Sequence, residues 1–355
     1  MKLFFNMAKK RTTLPKDFEE LLAKADLAAL KAIFEKCELD ARGGYSKKTA
    51  LAYDTCPHEL AVWLVEQGAG LEVTDTYGNT PLHSRSRSIH GNIKTLLALG
   101  ADVHSATSSV GTPLHSAADA HNVENTALLL EYGASVDTLN KQGFTALEQA
   151  LLTCNNIDIV KTLALAKMHL MAGARHSLRM SNLVTEIGKR FEFHRAGFNK
   201  DFVSEVSCAL DELYQLFHVE PVVKRILHDG KSPIRTTATD WPKQHQELWE
   251  LLVPSSGPAG TMQGEVIRIT GRIAHELDGN GGGNWDNEFK KMTEAFLTFV
   301  QQGQALPAPE MTEAAGIVTE IKRKAGEPDR LCELGVQWVL ANPQPIPLPK
   351  VDYKR

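Results

Sequence analysis

Gly111-Thr112-Pro113-Leu114-His115-Ser116-Ala117-Ala118 is the stretch whose reading decides the fold. Thr112 is suited to capping a helix with its hydroxyl, and Pro113 to the first helical position, where no amide donor is needed. Ala117 and Ala118 are small enough to let two helices approach. The stretch leads into Leu128-Leu129-Leu130 and closes on Gly133-Ala134, where Gly133 permits the left-handed backbone that ends a second helix. The same signals recur as Gly78-Asn79-Thr80-Pro81-Leu82-His83, closing on Gly100-Ala101-Asp102-Val103, and as Gly143-Phe144-Thr145-Ala146-Leu147. A worn copy, Thr49-Ala50-Leu51, closes on Gly68-Ala69. The threonines fall at 49, 80, 112 and 145, in steps of 31, 32 and 33 residues.

Thr-Pro-Leu-His returning at that step resembles the ankyrin repeat. The resemblance implies stacked helix pairs, with polar segments 73–79, 105–111 and 138–143 projecting as finger loops beside a concave groove. It also implies that His83 and His115 hydrogen-bond neighbouring loops, and that the groove captures a protein rather than performing catalysis. The fourth copy is stretched: 28 residues separate Thr145 from Gly173, against 20 from Thr80 to Gly100 and 21 from Thr112 to Gly133. The extra length, within 163–171, predicts about two additional helical turns and a junction with a second domain.

The expected fold class is therefore all-α: an ankyrin-repeat solenoid followed by a C-terminal helical domain. An N-terminal tail over 1–16 precedes a solenoid over 17–174, of about four to five repeats with the first degenerate. The helices at 17–40 read as a capping pair, since a solenoid end must face water on one side. Residues 175–342 show helical periodicity without a family resemblance, and their helices are expected to dock on the last repeat. Within them Pro221 is read as opening a short helix, and 229–239, 253–260 and 303–309 as linkers. Residues 343–355 form a proline-rich tail, extended by its prolines at 343, 345, 347 and 349.

Composition narrows the function classes. The 355 residues are enough for two cores. Thirty-nine basic against 43 acidic residues, net -4, supply no general pull toward nucleic acid or membrane. Five cysteines (Cys37, Cys56, Cys154, Cys208, Cys332) are scattered singly, which points to thiols in a reducing compartment rather than a disulfide framework. Leu3-Phe4-Phe5 is too short for a signal-peptide core, and Met7 is an alternative start. No apolar run approaches the roughly 18 residues of a membrane span. The expectation is a cytoplasmic monomer with no cofactor, whose partner is a protein with an acidic surface.

The groove reading selects Tyr77, Asn79, Arg85, Arg87, Ser108, Asp119, His121 and Gln142 as partner-binding residues. Arg85 stands where the next repeat has Ala117, a position normally hidden between helices. A guanidinium there either pairs internally or turns into the groove beside Arg87. The thirteen histidines show no metal spacing, so no metal site is expected.

A rival reading makes the repeats a targeting device and lets the second half act on the target. Glu265, Arg268, Arg272 and His275 lie on one stretch of helix, and Asp286 follows the glycine loop 279–283. Such a row could hold an anion and supply a general base. Solvated helix faces carry the same pattern through charge pairs three and four residues apart. Read as a calcium loop, 278–289 fails at position 12, where Phe289 replaces the required glutamate. A helix–helix turn with Asn284 capping the next helix fits better. The favoured function is an interaction scaffold or adaptor, by analogy a bacterial accessory or toxin-neutralising protein; the alternative is an effector or enzyme acting through 263–288.

Overall fold

The computed structural model describes residues 9–354, so the first half of the expected N-terminal tail lies outside the described residues. These residues divide into two compact units. One runs through Lys189 and resumes over Asp201–Pro221; the other comprises Arg190–Lys200 and the chain from Val222 onward.

The first unit opens with strand β1 (Arg11–Thr13), the helices α1 (Phe18–Lys24) and α2 (Leu27–Lys36), and strands β2 (Cys37–Gly43) and β3 (Lys48–Thr49). β2 pairs parallel with β1 and antiparallel with β3, giving a three-stranded sheet in an otherwise helical chain. Sequence periodicity carried the second helix to residue 40; the chain instead turns extended at Cys37. The worn copy at Thr49 forms only a 3-10 turn over Ala50–Ala52 before α3 (His58–Glu66). Thr49 makes no capping bond, and Pro57 disfavours helical backbone at Cys56, so no inner helix develops.

The next three copies are regular helix pairs: α4 (Pro81–Arg87) with α5 (Lys94–Ala98), α6 (Pro113–Asp119) with α7 (Val123–Glu131), and α8 (Ala146–Thr153) with α9 (Ile159–Met171). The inner helices α4, α6 and α8 stack in succession, and alanines 117, 118, 146 and 150 are wholly buried between them. At 13 residues α9 exceeds the nine of α7 by about one turn. The rest of the insertion is spent on the 3-10 segment Asn156–Asp158, so the expected two extra turns do not form. α10 (Leu178–His194) begins in this unit, and α11 (Val203–Leu216) packs against α9.

A capping box joins each repeat to the next. His83 Nδ1 accepts from the Thr80 amide (3.3 Å), which makes the ring a neutral Nε2–H tautomer donating to the Gly111 carbonyl (2.8 Å). His115 repeats the arrangement with the Thr112 amide (3.2 Å) and the Phe144 carbonyl (3.0 Å). In the fourth copy Glu148 takes the histidine's place. One of its oxygens accepts from the Thr145 amide (3.1 Å), while the other accepts from Ser177 (2.8 Å). Arg179 completes the pairing at 3.3 Å.

In the second unit α12 (Trp241–Leu252), α13 (Met262–Ala274), α14 (Asn287–Phe299), α15 (Ala308–Ile321) and α16 (Pro328–Ala341) enclose a separate apolar core. α13 packs against α12, α14 and α16 and is buried from Met262 to Thr270. It therefore has no solvated face along that stretch, contrary to the charge-pair reading. The segment expected to form a helix after Pro221 is extended instead. Arg225 donates to the carbonyls of Phe193, Trp249, Glu250 and Val253, and the His228 amide to that of Leu251 (2.8 Å). The segment thus closes the carboxyl end of α12, whose last carbonyls have no helical partner.

The proline-rich tail lies along the second unit. The Met262 amide donates to the Ile346 carbonyl (2.8 Å), and Gln263 donates to the carbonyls of Asn342 (2.9 Å) and Gln344 (2.7 Å). Tyr353 donates its phenol to Glu265 (2.6 Å), whose carboxylate is already paired with Arg268 (2.5 Å).

Burial pushes His83, His115 and His169 below their ordinary value of 6.5. The unfolded chain binds protons at these rings before the folded one does. Their contribution to stability is therefore complete above pH 6.5 and is lost as pH falls from 6.5 through the lowered folded values. Amide hydrogen exchange at α4 and α6 should accelerate between pH 7 and pH 5, after correction for intrinsic exchange; a flat profile would refute this. Tyr353 moves the other way, raised above 10.0 by burial and then by Glu265. Its contribution is complete below pH 10 and falls above it. Tyr353→Phe should cost about 1–3 kcal/mol through the unsatisfied carboxylate and remove that part of the alkaline loss. Tryptophan fluorescence in urea reads this, since four of the five tryptophans belong to the second unit.

Candidate functional site

Short-range hydrogen bonds in the finger loops fix the candidate surface. One oxygen of Asp75 accepts from the amides of Tyr77 and Asn79, both at 2.8 Å, which sets the turn that carries Tyr77. Gly78 has a positive φ of 81°, and a Cβ there would meet the Thr107 carbonyl at 2.4 Å. Neighbouring fingers are stitched together. The Thr76 amide donates to Ser46 (2.9 Å), Thr107 to the Gly78 carbonyl (2.8 Å), and Ser108 to Asn79 (2.6 Å).

On the inner helices, Arg87 reaches from α4 to Asp119 of α6 at 2.8 Å. The other oxygen of Asp119 accepts from Gln149 of α8 (2.8 Å), and Gln149 accepts from Asn140 in the last finger (3.3 Å). A polar chain thus crosses three repeats. Beside it lies a cleft of about 390 Å³, lined by Ser46, Lys48, Asp54, Tyr77, Asn79, Ser84, Arg87, Ser109 and Ser116 among others.

The structure brings Tyr77, Asn79 and Arg87 together in this cleft, with Asp119 behind Arg87. Tyr77 is 52% exposed. Gln142 is exposed in the last finger, its amide held by Asn140 (3.0 Å). Three other residues turn inward. Arg85 is 2% exposed and donates to the carbonyls of Asn92 (3.1 Å) and Cys56 (3.4 Å). Segment 88–93 wraps its guanidinium, and the outer helix of that repeat keeps only five residues. Of the two outcomes left open for Arg85, the internal one is observed, with carbonyls rather than a carboxylate as acceptors. Ser108 is buried as a stitch between fingers. His121, with φ of 51°, is buried and donates from Nε2 to the Ala150 carbonyl (3.0 Å), linking repeats.

Sequence reasoning missed Tyr45, which is 91% exposed at the tip of the β2–β3 hairpin next to Ser46 and Lys48. Gly43-Gly44 signalled the turn, but the worn repeat hid that it is a finger. Ser84 and Ser116 were also missed, although they occupy matching places in the two Pro-Leu-His-Ser motifs.

The rival set does not converge. Glu265 and Arg268 are buried against each other and Tyr353. His275 is exposed ten residues further on, about 15 Å along a helix axis. Arg272 is half-buried between them. Asp286, not Asn284, caps α14, accepting from the amides of Glu288 (3.0 Å) and Phe289 (3.2 Å). Asn284 folds back instead, its amide donating to Glu276 (2.5 Å). Among the described residues no group of three or more His, Cys, Asp or Glu could hold a metal ion, and no helix is long and apolar enough to cross a membrane.

Comparison with known proteins agrees with the geometry of the repeats. A family model of ankyrin repeats (three copies) matches residues 85–172. A putative palmitoyltransferase, ZDHHC13 of Danio rerio, is 32% identical over 131 residues, which are 35% of this chain and 20% of that protein. A putative ankyrin repeat protein, FPV031 of Fowlpox virus (strain NVSL), is 33% identical over 109 residues, 30% of this chain and 32% of that one. The chain thus spans a fifth to a third of the length of these curated relatives. The motif, the stacked inner helices and the family match agree that residues 85–172 of this chain are ankyrin repeats.

Proposed function

We propose that the chain is a non-catalytic adaptor that holds a protein partner against the finger loops and inner helices of its ankyrin repeats. Ankyrin repeats generally bind protein partners, and the observation that carries the reading here is the cleft bearing Tyr77, Asn79 and Arg87. An exposed tyrosine and an arginine at the rim of a rigid polar trough are the side-chain types that dominate interface energetics. The hydrogen-bonded fingers give a surface that needs little ordering on binding. The proposed partner presents an acidic surface to Arg87 and Lys48, and the chain works as a monomer in the cytoplasm without nucleic acid or membrane.

An effector or enzyme acting through 263–288 draws less support. Its proposed base, Glu265, spends its carboxylate on Arg268, Tyr353 and the Ala259 amide (2.8 Å). The palmitoyltransferase likeness covers a fifth of that protein, too little to bring its activity here.

The test separates surface from scaffold. With a partner captured from the native cell, Arg87→Glu and Tyr77→Ala should each weaken affinity about tenfold or more, a loss of roughly 1.4 kcal/mol or greater. Tyr77→Ala keeps its melting temperature, whereas Arg87→Glu lowers it by setting a carboxylate against Asp119, so its affinity is read per folded molecule. Arg85→Ala should behave in the opposite way. It should lower stability by about 2–3 kcal/mol through unsatisfied buried carbonyls and lost packing, with affinity per folded molecule retained. Unchanged affinity in both surface variants would move the interface away from the cleft.

A further inference from the structure

The cleft between the first fingers holds more hydrogen-bonding capacity than the chain uses. In the capping boxes the hydroxyls of Thr80 and Thr112 lie 2.8 and 2.9 Å from the histidine rings, and Ser108 is spent on Asn79. The hydroxyls of Ser46, Ser84, Ser109 and Ser116, by contrast, line the cleft and bond to no other described group. Arg87 commits one nitrogen to Asp119 and keeps its other donors for an occupant. Lys48 lies over the Tyr53 ring at 4.1 Å with its ammonium unmatched by a carboxylate.

The unmet donors, rather than net charge, favour an anion. Asp119 pairs with Arg87, and the charge of Asp54 acts on the buried guanidinium of Arg85. Asp75 spends its carboxylate on the amides of Tyr77 and Asn79, so Lys48 is the lining cation left without a carboxylate partner. An extended segment is the simplest occupant, since one side chain reaching down from it fits a cleft of about 390 Å³. Tyr77 lines the cleft from one finger, and Tyr45 is exposed beside Ser46 on the finger before it.

Taking the adaptor reading as its base, we propose that this cleft reads a phosphorylated serine or threonine on an extended segment of the partner. A phosphate monoester carries a charge near -2 and three acceptor oxygens. Those oxygens match an arginine, a lysine and several hydroxyls, whereas a carboxylate would leave most of these donors unmet. Lys48 and Arg87 supply charge-assisted bonds; Ser84 and Ser116, on the same position of successive inner helices, orient the remaining oxygens. Asp54 limits affinity for anything doubly charged.

Full-length protein is titrated with three fluorescein-labelled peptide mixtures, identical and degenerate except for a central phosphoserine, glutamate or serine. The phosphoserine mixture should bind at least about tenfold more tightly than either other. Arg87→Gln, Lys48→Gln and the double change Ser84→Ala/Ser116→Ala should each remove most of that preference. Asp54→Asn should increase it. Melting temperatures identify any variant that fails to fold. Equal binding of phosphoserine and serine mixtures, no binding of any mixture, or a stronger glutamate mixture would each overturn the proposal. In parallel, the captured partner is treated with phosphatase. If it still binds with full affinity, and Arg87→Glu still weakens it, the adaptor reading stands and the phosphate reading falls.

Discussion

A neutral imidazole bound on both sides holds the first unit together. Each ring closes the capping box of its own repeat through Nδ1 and grips the carbonyl of the next finger through Nε2. One side chain therefore sets both the start of an inner helix and the distance to its neighbour. The fingers, the polar chain from Arg87 to Asn140 and the cleft all inherit their spacing from this link. Protonation breaks the first of these bonds, because Nδ1 would then become a donor facing another donor, while Nε2 remains a donor to the carbonyl.

The repeats were legible because their signals are local. Threonine, proline and glycine, and histidine through its Nδ1 bond, act within four residues of where they stand, and the period repeats the signal. What was not legible depends on distant partners. Arg85 looked like a surface candidate because nothing in sequence shows that the carbonyls of Asn92 and Cys56 would meet it. Glu265 and Arg268 looked like a solvated pair because the helical pattern cannot reveal that the tail, some 88 residues later, supplies Tyr353 as a third partner. The extended run after Pro221 was read as helix for the same reason. Arg225 gains four carbonyl acceptors by leaving the helix, and those acceptors belong to other elements.

In the second unit the polar groups are organised from inside out. Gln263, Glu265 and Arg268 are buried on α13, and the tail satisfies what the helix alone leaves open. Burying such groups is costly unless every donor and acceptor is met. The proline-rich segment is well suited to meeting them, since its prolines keep it extended and leave its carbonyls available to side chains.

The substitution of Glu148 for histidine has a consequence for how the array can change length over evolutionary time. Histidine donates forward to a following finger, so a repeat that carries it can be followed by another copy of itself. Glutamate accepts from Ser177 and Arg179, which no finger loop supplies. A duplication inserted after the second or third repeat meets matching chemistry at both joins. One inserted after the fourth would set a carboxylate against a backbone carbonyl, acceptor against acceptor. The array is thus open to growth in its middle and chemically sealed at its end.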